Sequence, residues 1–177
     1  MSDRDRLIAD HVSGVWADDV LPTLHDYIRI PCVSQAFDPD WKVHGHQDAA
    51  TELIRAWCAA RAIAGLTVEV HELPGRSPLI VAEVPAFAAA EASCPADDTV
   101  LLYGHCDKQP EMTGWRDHLG PWLPVQEGDR LYGRGGADDG YAAFASLLAI
   151  EAAQLAGTPH SRLIILGSGP AGYAAAV

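Results

Sequence analysis

The chain has 177 residues, 49% of them hydrophobic and 20% charged, enough for one domain and unlike a disordered or collagen-like chain. Its formal net charge of −12 repels a phosphate backbone, so we expect no nucleic-acid partner. No apolar run approaches the roughly 20 residues of a membrane-spanning helix, and the charged N-terminus lacks a signal core. The four cysteines are Cys32, Cys58, Cys94 and Cys106. Because no two of them form a C-x-x-C pair, we expect free thiols in a reducing cytoplasm.

Helices are predicted wherever apolar residues recur every three or four positions. These segments are 4–30, 47–64 and 138–156. Gly65 is the predicted C-terminal cap of the second of these helices. Two stretches without periodicity are predicted to be loops, 32–46 and 106–128.

Strands are predicted from short runs that are alternating or apolar throughout. They are 66–73, 79–85, 99–105 and 161–166, with a further short strand inside 129–136. Segment 99–105 is apolar along its length, which predicts a buried central strand. Helices that alternate with strands predict an α/β fold, with a mixed or mostly parallel sheet flanked by helices.

The first chemical motif is YGHCDKQP, residues 103–110. It places His105 at the carboxyl end of a predicted strand, where open α/β sheets form their functional crevice. Asp107 lies two residues on, so along an extended chain both side chains face the same way. Its carboxylate can therefore accept the second N–H of the imidazole, as carboxylates do behind metal-bound histidines. A hydrogen-bonded structural histidine is the alternative.

The second motif is LYGRGGADDG, residues 131–140. It presents Asp138 and Asp139 immediately before a predicted helix. A carboxylate in such a position can bridge two divalent ions. The alternative is that the pair caps the helix N-terminus, where aspartate is favoured.

At these residues the chain resembles the co-catalytic zinc metallopeptidases: carnosinase-like dipeptidases, aminoacylases, and their carboxypeptidase and desuccinylase relatives. The pattern of that family is GHxDxQP after a strand, then a loop with Trp and Pro, then dGxLYGRGxxDDxG opening a helix. This sequence has GHCDKQP at 104–110, Trp115 in the loop, and EGDRLYGRGGADDG at 127–140. The resemblance extends over about residues 15–166 and implies the α/β catalytic domain of a zinc exopeptidase.

The resemblance implies a role for each matching residue. His105 would ligate one zinc ion, Asp138 would bridge two, and Asp107 would be the catalytic residue that orients His105. In relatives the peptide bond that matches Asp138–Asp139 is cis. The implied reaction is hydrolysis of an amide bond in small peptides or N-acyl amino acids by water that two zinc ions activate. Complete relatives are often homodimers.

The sequence departs from the family pattern after segment 161–166. There the family has two adjacent glutamates, one the general base and one a metal ligand, whereas here no glutamate follows Glu151. The later Asp and His ligands and the lid domain have no counterpart either. Because a catalytic zinc usually keeps three protein ligands, two are too few. We therefore expect a truncated hydrolase that is inactive as this chain; a non-catalytic remnant is the alternative.

The tail HSRLIILGSGPAGYAAAV, residues 160–177, resembles the start of thioredoxin reductase. Gly167, Gly169 and Gly172 form G-x-G-x-x-G after an apolar strand, the context of a dinucleotide-binding fingerprint. Residues 1–159 would then be the N-terminal part of a metallopeptidase domain, and 160–177 an incomplete dinucleotide-binding-like tail. Two further alternatives follow: a hybrid reading frame, and a fragment of a flavin- or nicotinamide-binding oxidoreductase.

Overall fold

The computed structural model describes residues 1–88 and 98–167. The helices are α1 (Asp3–Val15), α2 (Leu21–Arg29), α3 (Trp41–His44), α4 (His46–Ala59) and α5 (Ala142–Leu155). The strands are β1 (Thr67–His71), β2 (Leu79–Val84), β3 (Thr99–Gly104), β4 (Val125–Glu127), β5 (Arg130–Tyr132) and β6 (Arg162–Gly167). In this part of the chain no helix has the length and apolar character needed to cross a bilayer.

The main sheet has the strand order β1-β2-β6-β3. Strand β6 is antiparallel to β2 and parallel to β3, and β1 is antiparallel to β2. The sheet is therefore mixed, and the predicted α/β fold is confirmed. Strands β4 and β5 form a separate antiparallel hairpin.

The core lies between the sheet and two of the helices. Helices α4 and α5 contact the strands, while α1 packs on α5 and α2 packs on α4. The rings of Trp57 and Phe144 meet edge to face with centroids 4.8 Å apart, a contact worth about 0.5–1.5 kcal/mol beyond burial. The buried apolar side chains include Val20, Leu24, Ile54, Leu147, Ile80, Ala82 and Ile165.

The predicted helix 4–30 is confirmed as α1 and α2, joined by a wider π-helical turn over Trp16–Val20. Its start is fixed by a capping box. The Ser2 hydroxyl accepts the Asp5 N–H, and the Asp5 carboxylate accepts the Ser2 N–H.

Three local predictions were wrong. Helix α4 ends at Ala59, and Gly65 is not its cap but turns the chain into β1 with a φ of +75°. The predicted loop 32–46 contains α3, and the predicted loop 106–128 contains β4. Helix α3 has four residues and β4 has three, so neither element is long enough to repeat its pattern, and periodicity does not reveal them.

The prediction of a buried central strand at 99–105 was also wrong. Strand β3 pairs only with β6 and is the edge of the sheet in the described part of the chain. Leu101 is 60% exposed there, and Val100 is also exposed. Apolar composition shows that a strand suits burial, but it does not show which strands flank it. The predicted strand 161–166 is confirmed as β6, in which Leu163 and Ile165 are buried.

We expect Leu101→Lys to reduce self-association of the chain, because a charge on an exposed edge strand opposes edge-to-edge pairing. The measurement is light scattering during size-exclusion chromatography over a range of concentrations, together with a thermal melt. The matched control is Val43→Lys, which removes an apolar side chain that is 85% exposed on α3, away from the sheet edge. If the two substitutions changed self-association equally, the exposed edge at β3 would not be the surface through which the chain associates.

Candidate metal centre

The candidate centre lies at the carboxyl end of the parallel pair β3 and β6. In the register of that pair Gly104 stands opposite Gly167, and His105 follows directly. A Cβ added at Gly104 would lie 2.6 Å from the Cβ of Ala142 and 3.3 Å from Oδ2 of Asp139. The end of β3 therefore packs against the start of α5, and this close approach brings the two sequence motifs together.

The imidazole of His105 lies between two aspartates. Its Nδ1 is 3.0 Å from the backbone oxygen of Asp107 and 3.2 Å from Oδ1 of the same residue. Its Nε2 is 3.2 Å from Oδ1 of Asp138. Asp107 is buried, with its side chain 3% exposed, whereas the side chain of Asp138 is 63% exposed. The structure thus brings together the three residues that the sequence singled out.

The Asp138–Asp139 turn is not helical. The φ/ψ angles are −130°/87° at Asp138 and −124°/21° at Asp139, and the peptide between them is cis, as the resemblance implied. Helix α5 begins only at Ala142, and its N-cap residue is Tyr141, which makes no side-chain capping bond. The alternative that this aspartate pair caps the helix is therefore wrong.

The spacing of His105 and Asp138 fits a shared metal ion. Ligand atoms of a tetrahedral zinc stand roughly 3.3 Å apart, given zinc bonds of about 2.0–2.2 Å. The distance between Nε2 of His105 and Oδ1 of Asp138, 3.2 Å, matches that spacing. Oδ1 of Asp107 is buried and makes no hydrogen bond within the described residues, and its charged contact is the 3.2 Å approach to Nδ1 of His105.

The two candidate ligands are a partial set. Within residues 1–88 and 98–167, no group of three or more His, Cys, Asp or Glu side chains could hold a metal ion. The nearest glutamate in sequence after the motifs, Glu151, is buried instead against His11 at 3.2 Å and Arg61 at 3.8 Å. That residue therefore stabilises the helical layer and is not a candidate general base.

The aspartates shift the proton affinity of His105. The hydrogen bond to Asp107 is the main cause that raises the pKa of His105 to about 9, against partial burial, which lowers it. Burial raises the pKa of Asp139. In the metal-free chain His105 is thus an imidazolium at neutral pH, and a metal ion must displace its proton in order to bind Nε2.

Comparison with known proteins supports the motif assignment. Residues 101–170 match the family model described as peptidase family M20/M25/M40. The resemblance to this peptidase family is confirmed. A succinyl-diaminopimelate desuccinylase from Verminephrobacter eiseniae (strain EF01-2) is 37% identical over 87 residues, which cover 48% of this chain and 20% of the desuccinylase.

Two solved structures share the fold. The di-peptidase Dug1p from Saccharomyces cerevisiae is 20% identical with a TM-score of 0.66, over 93% of this chain and 34% of that one. Human carnosine dipeptidase 1 is 20% identical with a TM-score of 0.63, over 96% of this chain and 35% of that one. The chain thus spans about a third of the length of these two structures. The family match includes β6, the strand on which the thioredoxin reductase resemblance begins.

Part of the sequence interpretation lies outside the described residues. Gly167 ends β6, whereas Gly169 and Gly172 of the glycine motif are not among the residues described. Cys94 is likewise outside them. The other three cysteines are free, as predicted, and the structure shows that they are buried: Cys32, Cys58 and Cys106.

Two residues that support the M20 motifs were missed at the sequence level. Arg134 donates from Nε and Nη2 to the carbonyl of Pro110, at 3.0 and 2.8 Å, and so fixes the loop between the motifs. Lys108 is 1% exposed, and burial lowers its pKa to about 8. Its carbonyl partners lie about 80 positions earlier in the chain, for example Ile28, so local spacing carries no signal for them.

We expect the raised pKa of His105 to appear as pH-dependent stability of the metal-free chain. Because the folded pKa, about 9, exceeds the ordinary value of 6.5, the stabilisation is fully present below pH 6.5 and is lost as pH rises through about 9. The measurements are an NMR titration of the imidazole and urea unfolding from pH 6 to 10. Asp107→Asn should lower the pKa of His105 and flatten the pH dependence, whereas Asp117→Asn, in the exposed loop, should leave both unchanged.

Proposed function

We propose that residues 101–167 provide one part of a co-catalytic zinc centre that hydrolyses amide bonds in small peptides or N-acyl amino acids. The observation that carries the proposal is the 3.2 Å approach of His105 Nε2 to Asp138 Oδ1 at the carboxyl edge of two parallel strands. The match to the peptidase family model supports the same reaction class.

Each residue of the proposed centre has a separate task. Nε2 of His105 and the carboxylate of Asp138 hold the metal. Asp107 accepts a hydrogen bond from Nδ1 and so keeps the proton there, which leaves the lone pair of Nε2 free for a ligand bond. When bound, zinc supplies Lewis-acid polarisation of the amide carbonyl and lowers the pKa of a water molecule.

The proposed centre requires groups beyond those described. In residues 1–88 and 98–167, no third side chain lies close enough to His105 and Asp138 to complete a group of three metal ligands. Residues beyond those described, or a second copy as in a homodimer, would supply the remaining ligands and the general base. We therefore propose that residues 1–177 alone bind zinc weakly and do not hydrolyse dipeptides. A non-catalytic remnant is the alternative, and the match to the peptidase family model does not favour it.

The compartment is proposed from the cysteines. Cys32, Cys58 and Cys106 are free thiols in the interior, which is typical of a protein in a reducing compartment. We infer that the chain functions in the cytoplasm.

The test is zinc affinity, measured by competition with a chromophoric chelator and by mass spectrometry under native conditions. We expect His105→Ala and Asp138→Ala to abolish binding, because each removes one of two ligands. Asp107→Asn should weaken binding by about 10–100-fold, the usual cost of losing a residue that orients a ligand. The matched control is His118→Ala, since that histidine is exposed and contacts Glu127 at 2.6 Å.

Zinc binding that survives His105→Ala would refute the assignment of the centre. Dipeptide hydrolysis by the chain of 177 residues, lost on Asp138→Ala, would refute the proposed inactivity and would mean that this chain, alone or with a second copy, completes the centre. A dimer mass in the zinc-loaded sample would identify that second copy.

A further inference from the structure

Lys108 is a buried cation with no carboxylate partner among the described residues. Its Nζ donates to three backbone carbonyls at the end of α2: Tyr27 at 2.7 Å, Ile28 at 3.2 Å and Ile30 at 2.6 Å. An ammonium has three N–H donors, so all of them are used. The carbonyl end of a helix carries partial negative charge, which stabilises the cation there.

The backbone of Lys108 is held from a second direction. Its N–H donates to the carbonyl of Cys32 at 2.9 Å, and its carbonyl accepts the N–H of Ser34 at 2.8 Å. The main chain one residue after Asp107 is therefore tied to residues 32–34, while the side chain is tied to α2. These contacts leave the His105–Asp107 segment little freedom to move.

The stem of Lys108 also contacts the other motif. A Cβ added at Gly135, where φ is +84°, would lie 2.6 Å from Cγ and 2.8 Å from Cδ of Lys108. The main chain of the glycine turn thus lies directly against this side chain. Gly140 closes the same turn: its N–H donates to the carbonyl of Gly135 at 2.8 Å, and a Cβ there would collide with the ring of Tyr27.

We propose that Lys108 is a positioning residue that sets the spacing between His105 and Asp138. The carbonyl end of α2 holds the ammonium, and the lysine stem supports the turn that carries Asp138, so one side chain contacts both ligand-bearing segments. The structural part of this inference stands on these contacts alone; its consequence for zinc rests on the function proposed above.

The first experiment measures positioning without metal. Lys42 and Lys108 are the only lysines in the sequence, so Lys42→Met, on the exposed helix α3, is the matched control for Lys108→Met. The readouts are the amide exchange of Gly140 and the NMR shifts of the His105 imidazole. We expect Lys108→Met to speed Gly140 exchange more than that of a central-strand amide, Ile165, and to shift the His105 signals. Lys42→Met should change neither.

The second experiment measures zinc affinity in the same variants. We expect Lys108→Met to weaken binding by about 10-fold or more, within the range seen for residues that orient metal ligands. Lys108→Gln should be intermediate, because its amide can still donate to part of the carbonyl cluster. If Lys108→Met does not fold, Lys108→Gln is measured in both experiments against the same control.

The outcomes separate the two proposals. If Lys108→Met accelerates exchange equally at Gly140 and Ile165 and leaves His105 unshifted, Lys108 stabilises the fold generally and the positioning role is wrong. If the NMR changes appear but wild-type chain binds no zinc, the positioning role holds and the proposed metal function fails. If the wild-type chain binds zinc and Lys108→Met binds it with the same affinity, the positioning role is wrong.

Discussion

The burial of the Lys108 ammonium against the carbonyl end of α2 is the contact on which the rest of the candidate centre depends. An unpaired charge in a protein interior is costly unless it is fully hydrogen-bonded. Here three carbonyls accept from the ammonium, and the Tyr27 ring lies 4.1 Å from Nζ. Two of these carbonyls also accept a backbone N–H, Tyr27 from Ile30 at 3.0 Å and Ile30 from Cys32 at 2.8 Å, so the lysine adds a second hydrogen bond to them at the helix end. Cation and helix end therefore stabilise each other.

That contact couples distant parts of the chain. The helix end comes from residues 27–30, the first motif from 103–110, and the second from 131–140. Glycines permit the close approach: at Gly135 and Gly140 any side chain would occupy the space of Lys108 or Tyr27. The glycine-rich composition of the second motif thus has a packing explanation that is separate from metal binding. The glycines of this motif therefore mark the positions where the backbone lies directly against the side chains of Lys108 and Tyr27.

The sequence predicted much of the fold because its helices and most of its strands are long enough to show a period. The helix over 4–30 follows from apolar spacing and β1 from alternation, whereas β2 and β6 follow from short apolar runs. The edge position of β3 did not follow, because a run of apolar residues such as Leu101 carries no information about its neighbours. The site was predicted as a set of residues through the two motifs. Lys108 was missed because its partners are distant in sequence and because the usual expectation places lysine at the surface.

The two proposed metal ligands, His105 and Asp138, lie at a spacing suited to a shared metal ion. His105 is an imidazolium between the carboxylates of Asp107 and Asp138, so a proton supplies the positive charge that a metal would supply on binding. In the proposed centre, a divalent cation that replaced this proton would face the same carboxylates with the same sign of charge. The conformational entropy of bringing the two motifs together is therefore lost when this part of the chain folds. Any further ligand has to approach a pair that is already in place, which is easier than assembling the whole set at once.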